Sequence, residues 1–140
     1  MTTALDSNVI SALLRGEGTE GAVRRVLNAS RPQGELMICG AVHAELLAAP
    51  GVTAPLLDRF LAATGIRVDW LLEEPVWRLA GTSFATYADR RRTSGGGTPR
   101  RVLADFLIGA HAAARGARLV TLDAAHYETY FAGLEVVVPA

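Results

Sequence analysis

Lysine is absent from this 140-residue chain, whose fourteen basic residues are all arginine. That excludes chemistry built on a lysine amine: a P-loop lysine, a Schiff-base lysine or the ATP-binding lysine of a kinase. Cysteine occurs once, as Cys39, so neither an internal disulfide nor a multi-cysteine zinc site can form. Net charge is equally scarce, because fourteen acidic residues balance the arginines to a formal charge of zero. Attraction for a polyanion therefore has to be local. The chain does not open with a basic leader followed by a long apolar run. Its most charge-poor interval, Leu36 to Leu57, is broken by Glu45, Pro50, Gly51 and Pro55, short of the ~18 uninterrupted apolar residues of a membrane span. The expectation is a cytoplasmic protein with no membrane partner.

What the chain does contain is apolar side chain. Hydrophobic residues make up 50% of it, and a chain of this length buries roughly two thirds of its unfolded surface, so residues 1–140 are expected to form one domain. Thr2 to Leu5 is a short apolar run that ends at Asp6-Ser7-Asn8, after which Val9, Ile10, Leu13 and Leu14 fall at helical spacing. The same pattern predicts helices over Glu20 to Ala29, Gly40 to Ala49, Thr53 to Thr64 and Glu73 to Arg92, and strands over Glu35 to Cys39, Ile66 to Val68, Arg118 to Leu122 and Glu135 to Val138. Thr98-Pro99 pairs a capping hydroxyl with a proline at the first helical position, which predicts a further helix reaching Gly116. Strands alternating with helices predict an α/β domain with a central parallel sheet of about five strands and helices on both faces.

Ionised carboxylates are costly to bury, so the informative acids are those stranded in apolar sequence without a basic neighbour. Asp6, Glu45, Asp105 and Asp123 are each the only formally charged residue in an apolar segment, and Glu135 passes the same test. Ligands of an open parallel sheet gather at the carboxyl ends of its strands. Asp6 and Asp123 directly follow strands and Glu45 lies early in the helix after another, whereas Glu135 begins its strand at the opposite edge. Carboxylates that converge without cations repel one another unless a metal neutralises them, and an all-oxygen set suits one or two Mg²⁺ or Mn²⁺ ions. A metal held in this way lowers the pKa of a bound water.

Plainer roles exist for each residue. Asp6 and Asp123 fit helix N-caps, Glu45 fits an exposed helix position, and Asp105 lies one turn after Arg101, a spacing that suits a salt bridge. His43 and His111 point to helix faces other than those of Glu45 and Asp105, while His126 is closer to the acids and fits a loop or a substrate contact equally well. Ser83 lacks the second glycine of a nucleophile elbow. Arg90, Arg91, Arg92, Arg100 and Arg101 flank the triple glycine Gly95 to Gly97, forming one dense positive segment that suits solvated helix ends or phosphate contacts.

Four motifs, Leu5-Asp6-Ser7-Asn8-Val9-Ile10, Ala44-Glu45-Leu46, Ala104-Asp105-Phe106-Leu107-Ile108-Gly109-Ala110-His111-Ala112 and Val120-Thr121-Leu122-Asp123 followed by aromatics, occur in this order along essentially the whole chain. Together they resemble the PIN-domain family, and especially the VapC-type toxins of bacterial toxin-antitoxin pairs. The resemblance implies Mg²⁺-dependent cleavage of RNA to 5′-phosphate and 3′-hydroxyl products, with Asp6, Glu45, Asp105 and Asp123 as the acidic quartet. It also implies that Asn8 and Thr121 orient the quartet, and that the chain forms a homodimer and binds a cognate antitoxin; from its charge, the arginine segment is expected to position RNA phosphates through Arg91, Arg100 and Arg101. The stretch Ala124-Ala125-His126-Tyr127 departs from the single aromatic that relatives often carry there. Two alternatives remain, a non-catalytic PIN-like scaffold binding RNA or protein and an α/β metal-dependent phosphatase. Asn8 and the missing lysine disfavour a haloacid-dehalogenase-like enzyme.

Overall fold

The structure is a computed structural model that describes residues 1–96 and 101–140. Five strands form one parallel sheet: β1 (Thr3–Leu5), β2 (Leu36–Cys39), β3 (Ile66–Asp69), β4 (Arg118–Val120) and β5 (Val136–Val137), in the spatial order β3-β2-β1-β4-β5. Seven α-helices accompany it among the described residues: α1 (Ser7–Arg15), α2 (Glu20–Ser30), α3 (Gly40–Leu46), α4 (Ala54–Thr64), α5 (Glu74–Thr93), α6 (Leu103–Ala114) and α7 (Ala124–Tyr130). Every residue of β1 and β2 is buried. Successive strand side chains point to opposite faces, so both faces of the central sheet are covered. None of the described helices is long and apolar enough to cross a membrane.

Elements end close to where the residue pattern places them, and the departures have local causes. Helix α3 stops at Leu46, and residues 47–51, which include Pro50 and Gly51, form turns. Thr98 and Pro99, the expected helix start, lie outside the described residues; α6 begins at Leu103. Thr53 caps α4 by accepting from the Leu56 amide, with Pro55 in the first turn. In α4, Leu57 and Leu61 turn inward and Phe60 packs against the core, leaving Leu56 40% exposed. Much of the apolar face of α4 is thus used within the chain.

Helix α6 is buried without interruption from Phe106 to Ala112 and packs along α5 and α3. A helix apolar on nearly all sides has to lie inside the molecule. Gly109 lets it do so, because a Cβ at this position would collide with the Phe131 ring. Chain order reverses at β1, which has β2 on one side and β4 on the other. The crevice at the carboxyl ends of β1 and β4 is therefore the topological switch point of the sheet, where ligands of open α/β folds bind.

Candidate active site

Asp6 stands at that switch point, 6% exposed. It is the N-cap of α1, and Oδ1 accepts from the Ser7 amide at 2.7 Å. Its other oxygen accepts from the Thr121 hydroxyl at 2.8 Å and from the Tyr127 hydroxyl at 2.9 Å. The capping role is thus real, yet it engages one oxygen only. Asn8 donates to Thr121 Oγ1 at 3.4 Å and accepts from the Leu122 amide at 3.1 Å, while Thr121 Oγ1 also accepts from the Asp123 amide at 3.0 Å. One threonine hydroxyl therefore ties the end of β1 to the start of α7. Tyr127 went unnoticed in the sequence as a partner of Asp6; its only signal was its place among the aromatics after Asp123.

Glu45 and Asp105 come from α3 and α6. The Ser7 hydroxyl donates to Glu45 Oε1 at 3.1 Å and lies 3.4 Å from Asp6 Oδ1. Burial raises the Glu45 carboxyl above its ordinary value, opposed by the Ser7 hydrogen bond and reinforced by the charges of Asp105 and Asp6. Burial likewise raises Asp105, whose Oδ2 accepts from the Val102 amide at 3.2 Å, and the charge of Asp6 adds to the rise. These three acids feel one another across chain separations of 39 to 99 residues, and none of them makes an ion pair among the described residues.

Asp123 behaves differently, and the premise that it lacks a basic partner needs correcting. Arg101 Nη2 lies 2.6 Å from Asp123 Oδ2, with the two side chains 36% and 41% exposed. The alternative role of Asp105 as a helical partner of Arg101 is not seen, because Arg101 precedes α6 and reaches across to the loop after β4. Asp123 is the N-cap residue of α7 but makes no side-chain capping bond. As the chain stands, no three of the described histidine, cysteine, aspartate or glutamate residues are close enough together to hold an ion. The donor chemistry nonetheless suits a hard divalent cation: the half-buried carboxyls of Glu45 and Asp105 are raised first by burial and further by neighbouring acids, beside a buried Asp6, and none of the three has an ion-pair partner among the described residues.

His126 is 5% exposed, packed edge-on against Phe106 and Tyr127, and its Nε2 has no hydrogen-bond partner among the described residues. Burial, and then the charge of Arg101, hold this imidazole below its ordinary pKa. His43 is buried on Asp58 at 2.9 Å, and His111 is buried on Asp69, so both have structural partners away from the acids. Arg91, at the exposed end of α5, donates to the Gly96 carbonyl. Arg100 lies outside the described residues. Glu135 sits at the other edge of the sheet, facing Arg118 at 3.9 Å.

A family model for the PIN domain matches residues 3–132. The chain belongs to the PIN-domain family. Three solved structures share the fold of this PIN domain. The crystal structure of VapBC2 from Rickettsia felis bound to a DNA fragment from its promoter superposes with a TM-score of 0.70 at 17% identity, covering 100% of both chains. A toxin-antitoxin complex from Klebsiella pneumoniae gives 0.66 at 18% identity, covering 99% of this chain and 98% of that one. FitAcB from Neisseria gonorrhoeae gives 0.63 at 23% identity, covering 96% and 95%. No curated protein matches in sequence.

The burial of Glu45 and Asp105, with the charge of the neighbouring acids added to it, leads to a stability prediction. A carboxyl raised in the folded state binds its proton more tightly there than in the unfolded chain, so its contribution is present at low pH and lost as pH rises through the folded value. Asparagine at 105 removes that penalty at neutral pH and still accepts from the Val102 amide. In chelator at pH 7, Asp105→Asn is expected to melt at or above wild type, and added Mn²⁺ to raise the wild-type midpoint more than the mutant's. A clearly lower midpoint with an intact Mn²⁺ response would make Asp105 a purely structural residue.

Proposed function

We propose that this PIN domain is a divalent-metal-dependent endoribonuclease and the toxin of a toxin-antitoxin pair. What supports this proposal is that Asp6, Glu45 and Asp105, drawn from three separate elements about the switch point of a parallel sheet, are near enough for their charges to act on one another, and that none of them has an ion-pair partner among the described residues. Together with Asp123 they would hold one or two Mg²⁺ or Mn²⁺ ions. Such an ion supplies a water of lowered pKa and neutralises charge on the phosphate oxygens.

The chain's own residues prepare the site. Thr121 and Tyr127 donate to Asp6 from fixed positions, and burial followed by the charge of Asp6 raises the Tyr127 hydroxyl far above its ordinary value, so it stays a donor at neutral pH. Ser7 fixes the spacing of Asp6 and Glu45, and Asn8 fixes Thr121. No side chain has to act as nucleophile; the products are 5′-phosphate and 3′-hydroxyl ends. Arg91, Arg100 and Arg101 are proposed to meet RNA phosphates. A cognate antitoxin and a second copy of the chain are the proposed protein partners, in keeping with the toxin-antitoxin complex among the structural relatives.

The purified protein is expected to cut single-stranded or structured RNA in Mg²⁺ or Mn²⁺ and to stop in excess EDTA. Undiminished cleavage in chelator would end the metal mechanism. RNA binding without cleavage in either metal would favour a non-catalytic scaffold, and turnover of a phosphate monoester alone would favour a phosphatase.

A further inference from the structure

Of the four carboxylates, Asp123 is the one already holding a cation, and that cation belongs to the chain. We propose that Arg101 is a resident counter-ion that competes with the divalent metal for Asp123, so that metal loading and release of the guanidinium are one exchange. This inference rests on the nuclease function proposed above.

The two partners are built differently from the rest of the cluster. Arg101 is anchored through its backbone, whose amide donates to the Tyr87 hydroxyl at 3.0 Å, while its guanidinium is part-exposed. Asp123 is pinned by its own amide to Thr121 Oγ1, the hydroxyl that also holds Asp6, yet its carboxylate has no capping bond. Its backbone is thus fixed beside Asp6 while its side chain can turn. The Arg101 charge also reaches Asp105 and His126. A cation entering the cluster meets one carboxylate occupied and a positive charge at the rim. Once Asp123 turns to the metal, the guanidinium loses its partner and becomes available to a phosphate, which its planar fork suits.

The test measures Mn²⁺ binding without RNA, by electron paramagnetic resonance of the free ion, on the full chain with folding checked by circular dichroism. A part-exposed ion pair is a weak competitor, so Arg101→Gln is expected to tighten Mn²⁺ binding about threefold, and Arg101→Lys by less. In the Asp123→Asn background the same Arg101→Gln change should tighten Mn²⁺ binding clearly less, by only the part that the Arg101 charge exerts through Asp105. Unchanged or weaker binding by Arg101→Gln in the otherwise wild-type chain overturns the exchange. A gain that persists undiminished in the Asp123→Asn background also overturns it, because a general charge effect is then sufficient. Failure of wild type to bind Mn²⁺ at all would defeat the nuclease function and this inference together, whereas wild-type binding matched by Arg101→Gln defeats this inference alone.

Discussion

Asp6→Asn is expected to lower RNA cleavage by about 100- to 1,000-fold or more, the scale reported for removal of one preorganised charge-stabilising group. Asp6 stands nearest the centre of the arrangement, since its charge is felt by both Glu45 and Asp105 and its oxygens take donors from three residues. Asparagine also offers one oxygen where aspartate offers two. Either way its amide is turned, an NH₂ group faces Ser7 or the Thr121 and Tyr127 hydroxyls, at a cost of about 1–3 kcal/mol. Relief of repulsion from Glu45 and Asp105 offsets part of that cost. Tyr127→Phe separates orientation from charge: it removes one donor to Asp6 and should reduce cleavage by about 10- to 100-fold, the effect of losing a supporting group around a metal ligand. Single-turnover rates at saturating Mg²⁺ measure both. An Asp6→Asn protein that cuts at the wild-type rate would remove Asp6 from the chemistry.

Asp69→Ala is expected to be strongly destabilising, lowering stability by about 3 kcal/mol. Asp69 is 4% exposed at the end of β3, where Oδ2 lies 2.9 Å from His111 Nε2 and 2.8 Å from Arg115 Nε, and Oδ1 accepts from the Leu71 amide. Arg115 supplies the positive charge. Burial holds the imidazole of His111 below its ordinary value, so the neutral ring donates Nε2–H to a carboxylate that its partners keep below the usual range. Both shifts act in the same sense: His111 favours the folded state above its unfolded pKa, and Asp69 does so above its own, so stability falls with acid from about pH 6.5 downward. Arg115 is 38% exposed, which tempers the loss. Denaturant titration at pH 7 is the measurement, and a change below about 0.5 kcal/mol, the range of ordinary surface substitutions, would show that the cluster carries no net stability. The consequence reaches the acids, because these bonds fix α6, and with it Asp105, to the sheet.

The parallel order of the sheet and the placement of Asp6 and Asp123 could be read from apolar runs ending in an acid, because burial on both faces leaves a strand no polar position except at its end. Asp69 escaped the same test, since Arg67 stands two residues before it and the sequence looks charge-balanced. In space Arg67 pairs with Glu35 instead. Arg101 escaped for a related reason: chain proximity suggested Asp105, but 22 residues on, Asp123 is its neighbour. Spacing predicts contacts within a helix and says little about contacts between loops. Tyr127 is the clearest case, a hydroxyl that meets Asp6 across 121 residues.

Those separations also order events during synthesis. Strands β1, β2 and β3 can pair as soon as the first half of the chain has emerged, with Asp6 already present. Its partners Thr121 and Tyr127 and the acid Asp123 arrive only with β4 and α7, and contacts between such distant positions form late because the intervening loop must close first. A nascent or prematurely terminated polypeptide that stops short of Thr121 therefore carries three of the four acids but not the hydroxyls that aim the first of them. The aim of Asp6 is thus set only once the segment from Thr121 to Tyr127 has folded back onto the end of β1.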